Sequence, residues 1–108
     1  MQNKITKVIK RSGAIVPFNQ KRIANAIYRA VVAVGGRDKH KAEQLSEEVV
    51  KILNEKFTDN ITPNIEDIQD IVEKVLIENG HATVAKEFIL YREEAAKGRD
   101  AEGRLNSK

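Results

Sequence analysis

Four cations crowd a short stretch near the start of the chain. Lys10 and Arg11 stand just before a Ser12-Gly13 turn signal, and Lys21 and Arg22 follow Asn19 within three residues. Val8, Val16 and Ile23 are interspersed with them. These residue types can hold a phosphorylated ligand that carries an apolar ring. The cations offset the phosphate charge, and the aliphatic side chains form a slot for the ring. Lys21 and Arg22 would sit at the positive end of a helix dipole, which costs roughly a few tenths of a kcal/mol each. An anion at that helix start reverses the sign, because the backbone N–H groups, the dipole and Arg22 then act on it together. Two plainer readings stay open: Lys21 and Arg22 pair with acids of later helices, and Val8, Val16 and Ile23 are ordinary core residues.

Other chemistries lack their residues. There is no Walker A pattern and no GxGxxG, and Gly35-Gly36 stands alone. The two histidines, His40 and His81, are far apart without metal-ligand spacing. The chain has no cysteine, which removes disulfides, thiol chemistry and a cysteine-based zinc ribbon, and fits a reducing cytoplasm. Carboxylates fall at helix-surface spacings such as Glu47/Lys51, where they serve as solvated i,i+4 partners. An enzyme therefore has little support in these residues.

The net charge of +3 conceals a division. Residues 1–41 carry ten Lys/Arg against a single acid, Asp38, whereas residues 42–94 carry five basic residues against thirteen acids. Either the basic third holds an anionic ligand, or the two blocks attract each other within the fold. A length of 108 residues suits one domain. Aromatics are only 5%, so a core must rest on Ile, Val, Leu and Ala. No apolar run approaches the roughly 20 residues of a membrane span, and the start lacks a signal-peptide stretch, so a cytoplasmic protein is expected.

The elements that must position the cations follow from periodicity. Residues 4–10 alternate β-branched residues with lysine and predict a strand, and residues 14–18 predict a second that must end or lie at an edge at Pro17. Together they form a hairpin, in which only one of Lys10 and Arg11 shares a face with Val8. Asn19 is a good N-cap for a helix with Ile23, Ala26, Ile27, Ala30, Val31 and Val34 on its apolar stripe, stopped by Gly35-Gly36. Asp38 can cap a second helix, with Ala42, Leu45, Val49, Ile52, Leu53 and Phe57 inward. Asn60-Ile61-Thr62 is a candidate third strand. Asn64 can cap a third helix, carrying Ile65, Ile68, Ile71, Val72, Val75 and Leu76, that stops at Asn79-Gly80. A fourth helix is expected over about 81–96, packing through Val84, Phe88, Ile89 and Tyr91. The expected fold class is α+β and mainly helical: a four-helix bundle capped by a small three-stranded sheet with the β-hairpin as lid. The domain should span 1–94, with 95–108 a polar tail or linker.

Lys10-Arg11-x-Gly13, then Pro17-Phe18-Asn19, then Lys21-Arg22-Ile23 opening a helix, resembles the N-terminal signature of the ATP-cone family. The segment from Ile65 to Glu73, followed by Gly80-His81, Ala85-Lys86 and Tyr91-Arg92, resembles the second half of that domain. The resemblance covers about residues 4–94. It implies a non-catalytic adenine-nucleotide-binding domain, taking ATP or dATP with Mg²⁺ carried on the phosphates. As in ribonucleotide reductases, such a domain would control overall activity through oligomerisation, so the implied partners are a reductase catalytic domain or subunit and further copies of itself. The alternatives are a free-standing ATP-cone transcriptional regulator and a basic nucleic-acid-binding module. A regulator of that branch would carry a zinc ribbon, for which there is no cysteine, and a nucleic-acid module would need more aromatics and a recognition helix.

Carried over by position, the resemblance implies a nucleotide near Val8, Lys10, Arg11, Val16, Asn19, Arg22, Ile23, Ile65 and Gln69. Lys10, Arg11 and Arg22 would hold phosphates, Asn19 would hydrogen-bond the base, and Val8 and Ile23 would pack on its faces. Departures fall inside this set. Many members carry glutamate at Val16, which accepts a hydrogen bond from the adenine amino group; valine cannot. Lysine is usual at Arg22, and arginine suits phosphate through two parallel hydrogen bonds. Some reductases have histidine at Gln69, and lysine where this chain has Glu93.

Overall fold

The computed structural model describes residues 3–58 and 61–93. β1 (Lys7–Ile9) and β2 (Ile15–Pro17) form an antiparallel hairpin with Val8 opposite Val16. Its turn is closed by Gly13 N–H to Lys10 O at 2.9 Å and Lys10 N–H to Ala14 O at 2.8 Å. Gly13 takes φ of 91°, which a side chain would oppose. Pro17 ends β2 as expected of a residue with no N–H to donate.

Helices α1 (Gln20–Ala33), α2 (Lys39–Lys56) and α3 (Ile65–Glu78) follow, and α4 covers 82–93 of the described residues. Each of the first three begins where a side chain takes up a free end. Asn19 Oδ1 accepts from Lys21 N–H at 3.0 Å, and Asp38 Oδ1 accepts from Lys41 N–H at 2.9 Å. At α3 the Asp67 carboxylate reaches back to Asn64 N–H at 3.0 Å. The α1 end is closed by Gly36 N–H to Val31 O, and the α3 end by His81 N–H to Leu76 O.

α1 packs on α2 and α2 on α3. Their stripes meet in one core, centred on the fully buried Ile27, Val49, Leu53, Val75 and Leu76. α4 adds Ala85 and Phe88, and the hairpin end adds Ile5 and Val8. Two members of the expected stripes turn outward instead. Val34 is exposed where α1 ends, and Tyr91 lies 38% exposed under the guanidinium of Arg29.

The expected third strand is a correction. Asn60 lies outside the described residues, and Ile61 and Thr62 take no strand. Among the described residues the sheet has two strands. What joins this segment to β1 is one parallel bridge between Ile9 and Asn64, made by Ile9 N–H to Pro63 O at 3.0 Å. Pro63 can accept that bond but has no N–H with which to continue a ladder, and Asn64 at once turns to start α3. The expected tail over 95–108 lies outside the described residues. Among the described residues, no helix is long and apolar enough to cross a membrane.

Candidate functional site

The hairpin, the start of α1 and the start of α3 converge on a slot of about 100 Å³. Val8, Val16 and Ile23 form its walls from three successive elements, and Ile65 and Ile68 close it from α3. Lys10, Asn19 and Arg22 complete the lining at exposed positions. Seven of the nine expected site residues therefore line one slot, and the other two, Arg11 and Gln69, are bonded to each other beside it. Pro17, Phe18 and Ile68 line it as well, although the sequence marked them only as a strand end, a motif residue and a core residue.

Pleating sorts the first pair of cations. Lys10 lies two residues beyond Val8 and lines the slot with it. Arg11 turns to α3, where Nη1 meets Glu66 Oε1 at 2.9 Å and Nη2 donates to Gln69 Oε1 at 3.2 Å. Helical rotation sorts the second pair. Arg22 lines the slot, whereas Lys21 lines a separate polar groove between α1 and α2 with Glu43 and Glu47. Gln20 also points to α2, donating to Ser46 Oγ at 3.3 Å.

Among the described residues three ion pairs occur, and none involves Lys10, Lys21 or Arg22. Among the described residues, therefore, no acid of the later helices pairs with Lys21 or Arg22. The alternative for Val8 and Ile23 holds in part, since both are core members as well as slot walls. The helix start is less open to an anion than its sequence implied. Lys21 N–H is already given to Asn19 Oδ1, and Arg22 N–H to Asn19 O at 3.1 Å. The dipole and the side chains of Lys10 and Arg22 are what the slot offers an anion.

Apolar walls with cations at the rim suit a flat ring bearing a charged group. No group of three or more His, Cys, Asp or Glu among the described residues is placed to hold a metal ion. The family model for the ATP cone domain matches residues 6–97. The chain belongs to the ATP-cone family. It is 42% identical over 94 residues to the vitamin B12-dependent ribonucleoside-diphosphate reductase of Thermoplasma acidophilum, covering 82% of this chain and 12% of that protein. It is 34% identical over 99 residues to the anaerobic ribonucleoside-triphosphate reductase of Salmonella typhimurium, covering 92% of this chain and 13% of that protein. With the ribonucleoside-diphosphate reductase subunit alpha of Chlamydia trachomatis it shares 33% identity over 103 residues, 87% of this chain and 10% of that protein. This ATP-cone chain thus spans no more than 13% of the length of these three relatives.

The partner of Arg11 is the part of this ATP cone that sequence reasoning missed. Glu66 stands next to the slot residue Ile65 and one turn before Gln69, a spacing that sets both side chains on one helix face. That spacing was readable, but the approach of Arg11 from 55 positions away was not.

Proposed function

We propose that this chain is a non-catalytic regulatory domain that binds ATP or dATP. In this reading it controls the overall activity of a ribonucleotide reductase by changing how copies of the enzyme associate. The observation that carries the reading is the slot where walls from β1, β2, α1 and α3 meet two cations, Lys10 and Arg22, that no acid among the described residues pairs with, beside the start of a helix. Membership of the ATP-cone family and the similarity to reductases of three kinds support it.

Val8 and Ile23 sandwich the adenine ring, and Asn19 hydrogen-bonds its edge. At about 100 Å³ the slot is well below the roughly 300–1,000 Å³ of usual small-molecule sites. It takes the base, while the triphosphate lies outside over Lys10 and Arg22, with Arg11 within reach once it leaves Glu66. Mg²⁺ arrives on the phosphates and supplies charge neutralisation there. Ile65 and Gln69 bring α3 against the ligand, which gives occupancy a route into the helices. The catalytic part of a reductase is the partner, in a cytoplasmic setting.

Calorimetric titration of the chain with ATP, dATP and GTP in the presence of Mg²⁺ tests the reading. ATP and dATP should bind and GTP should bind more weakly. Arg22→Ala should lower triphosphate affinity by about tenfold or more, the worth of a charge-assisted contact. Absence of binding at millimolar nucleotide, by the chain and equally by a Glu66→Gln variant in which the acid that holds Arg11 is removed, would reject the site. A molar mass in solution that is the same with and without dATP would reject control by association.

A further inference from the structure

Among the described residues, Arg11 is the one cation of the expected phosphate set that has an acid partner. Its guanidinium is held at two points on α3, by Glu66 at 2.9 Å and Gln69 at 3.2 Å. Both partners lie within the first turn and a half of α3, beside Ile65 of the slot. The pair is about a third exposed on the arginine side and 42% exposed on the glutamate side, so it is a weak contact that a stronger anion can displace. Two terminal phosphate oxygens match the guanidinium fork better than one carboxylate oxygen and one amide oxygen. The hairpin backbone stays fastened by Ile9 N–H to Pro63 O, so Arg11 can change partners by swinging its side chain alone.

We infer that Glu66 is an internal competitor for the ligand's phosphates: it latches Arg11 to α3 when the slot is empty and yields it when a triphosphate arrives. The inference rests on the nucleotide-binding reading of the slot. Two consequences follow from one exchange. Every binding event must first break the Arg11–Glu66 pair, which lowers the apparent affinity. Every binding event also frees a carboxylate at the start of α3, among the described residues the only acid there tied to the hairpin by an ion pair. Glu66, Asp70 and Glu73 recur at helical spacing along α3, and the last two hold Arg92 of α4. The latch is therefore one end of an acidic stripe whose other end fastens the fourth helix.

The test is a double-mutant cycle of Glu66→Gln and Arg11→Met, read as ATP affinity by calorimetry, with melting temperatures to show that each variant folds. Glu66→Gln should tighten ATP by about three- to tenfold in the native background and by less than half of that factor with Arg11→Met present. An equal gain in both backgrounds would mean that Glu66 acts by its field alone, and the latch would be overturned. Unchanged affinity in Glu66→Gln, with the native chain still binding, also overturns the latch but leaves the slot standing. Binding by Glu66→Gln where the native chain shows none supports the latch, and binding by neither overturns latch and slot together.

Discussion

The Arg92 guanidinium reaches Glu73 Oε1 at 2.7 Å and so fastens α4 to the middle of α3. The same nitrogen lies 2.9 Å from Asp70 Oδ1. Glu73 is the better-sheltered partner at 21% exposure, against 67% for Asp70. Shelter from water strengthens an ion pair, and screening by solvent weakens it. Glu73 is therefore the partner that matters.

Replacing Arg92 with Met should destabilise the fold by about 1 kcal/mol, with Glu73→Gln costing more than Asp70→Asn. Burial works against the charge on Arg92, but hydrogen bonds and attraction from Glu73 and Asp70 outweigh it and raise its pKa above the ordinary arginine value. A raised pKa in the folded state gives stabilisation that is complete below the unfolded pKa and lost only as pH climbs through the folded one. The cost of Arg92→Met should thus be the same at about pH 7 and pH 9, both far below arginine titration. Urea denaturation at the two pH values measures it, and a cost that falls between them would refute the assignment.

Asn19 holds two positions at once, as the cap of α1 and as a lining residue of the slot. Asn19→Ala should cost about 1 kcal/mol through the lost cap and should also weaken nucleotide binding. Asn19→Asp separates the roles. Aspartate caps as well as asparagine and is favoured at the positive helix end, so the melting temperature should hold. Its negative charge beside Lys10 and Arg22 should nonetheless lower ATP affinity several-fold. Thermal melts and calorimetry on the two variants decide whether stability and binding part in this way.

What could be read from the sequence was whatever local spacing determines. Ile23, Ile27 and Ala30, and likewise Ala42, Leu45, Val49 and Leu53, are buried because a helix returns residues three and four apart to one face. Most of the slot was legible for the same reason, since Val8, Lys10, Val16, Arg22 and Ile23 lie on one short stretch whose strand and helix periods aim them together. Asn19, read locally only as a cap, and Ile65 came instead from the family resemblance. Contacts between distant segments were not legible. Ile61 and Thr62 of the expected third strand take no strand, and beside them a single hydrogen bond from Ile9 to Pro63 joins the segment to β1, because whether an extended segment pairs depends on where the fold sets it down. The charge blocks likewise left open whether a ligand or an acid would hold the cations. The structure divides them, giving Arg11 to Glu66 and leaving Lys10 and Arg22 without an acid among the described residues.

The two glycines that stop α1 are constrained differently. Gly35 has φ of 91°, with open space where a Cβ would go, so Gly35→Ala meets only backbone strain. A Cβ on Gly36 would come within 2.6 Å of Val31 Cγ1 and 3.1 Å of Val31 O. Val31 is β-branched on a helix and has little rotamer freedom to retreat. Gly36→Ala should therefore cost about 1–3 kcal/mol by overpacking. Adding Val31→Ala should recover part of that loss, although it recovers nothing for Gly35→Ala. Denaturant midpoints of the two double variants check the contrast.

Val16 stands opposite Val8 across the hairpin and forms a half-buried wall of the slot. An aliphatic wall excludes water but cannot tell one purine edge from another. Val16→Glu places a carboxylate acceptor there, close to exposed Lys10 and Arg22, which help to keep it charged. An adenine amino group can donate to that carboxylate, whereas the guanine carbonyl at the same ring position is repelled. Absolute affinity moves in both directions, because the new charge also opposes the phosphates. The ratio of ATP to GTP affinity is free of that opposition, since both ligands carry the same triphosphate, and it should rise by about tenfold, the effect of one discriminating hydrogen bond. Parallel calorimetric titrations of the native chain and Val16→Glu with both nucleotides give the ratio. A ratio that is unchanged or lower would show that the base does not rest against Val16.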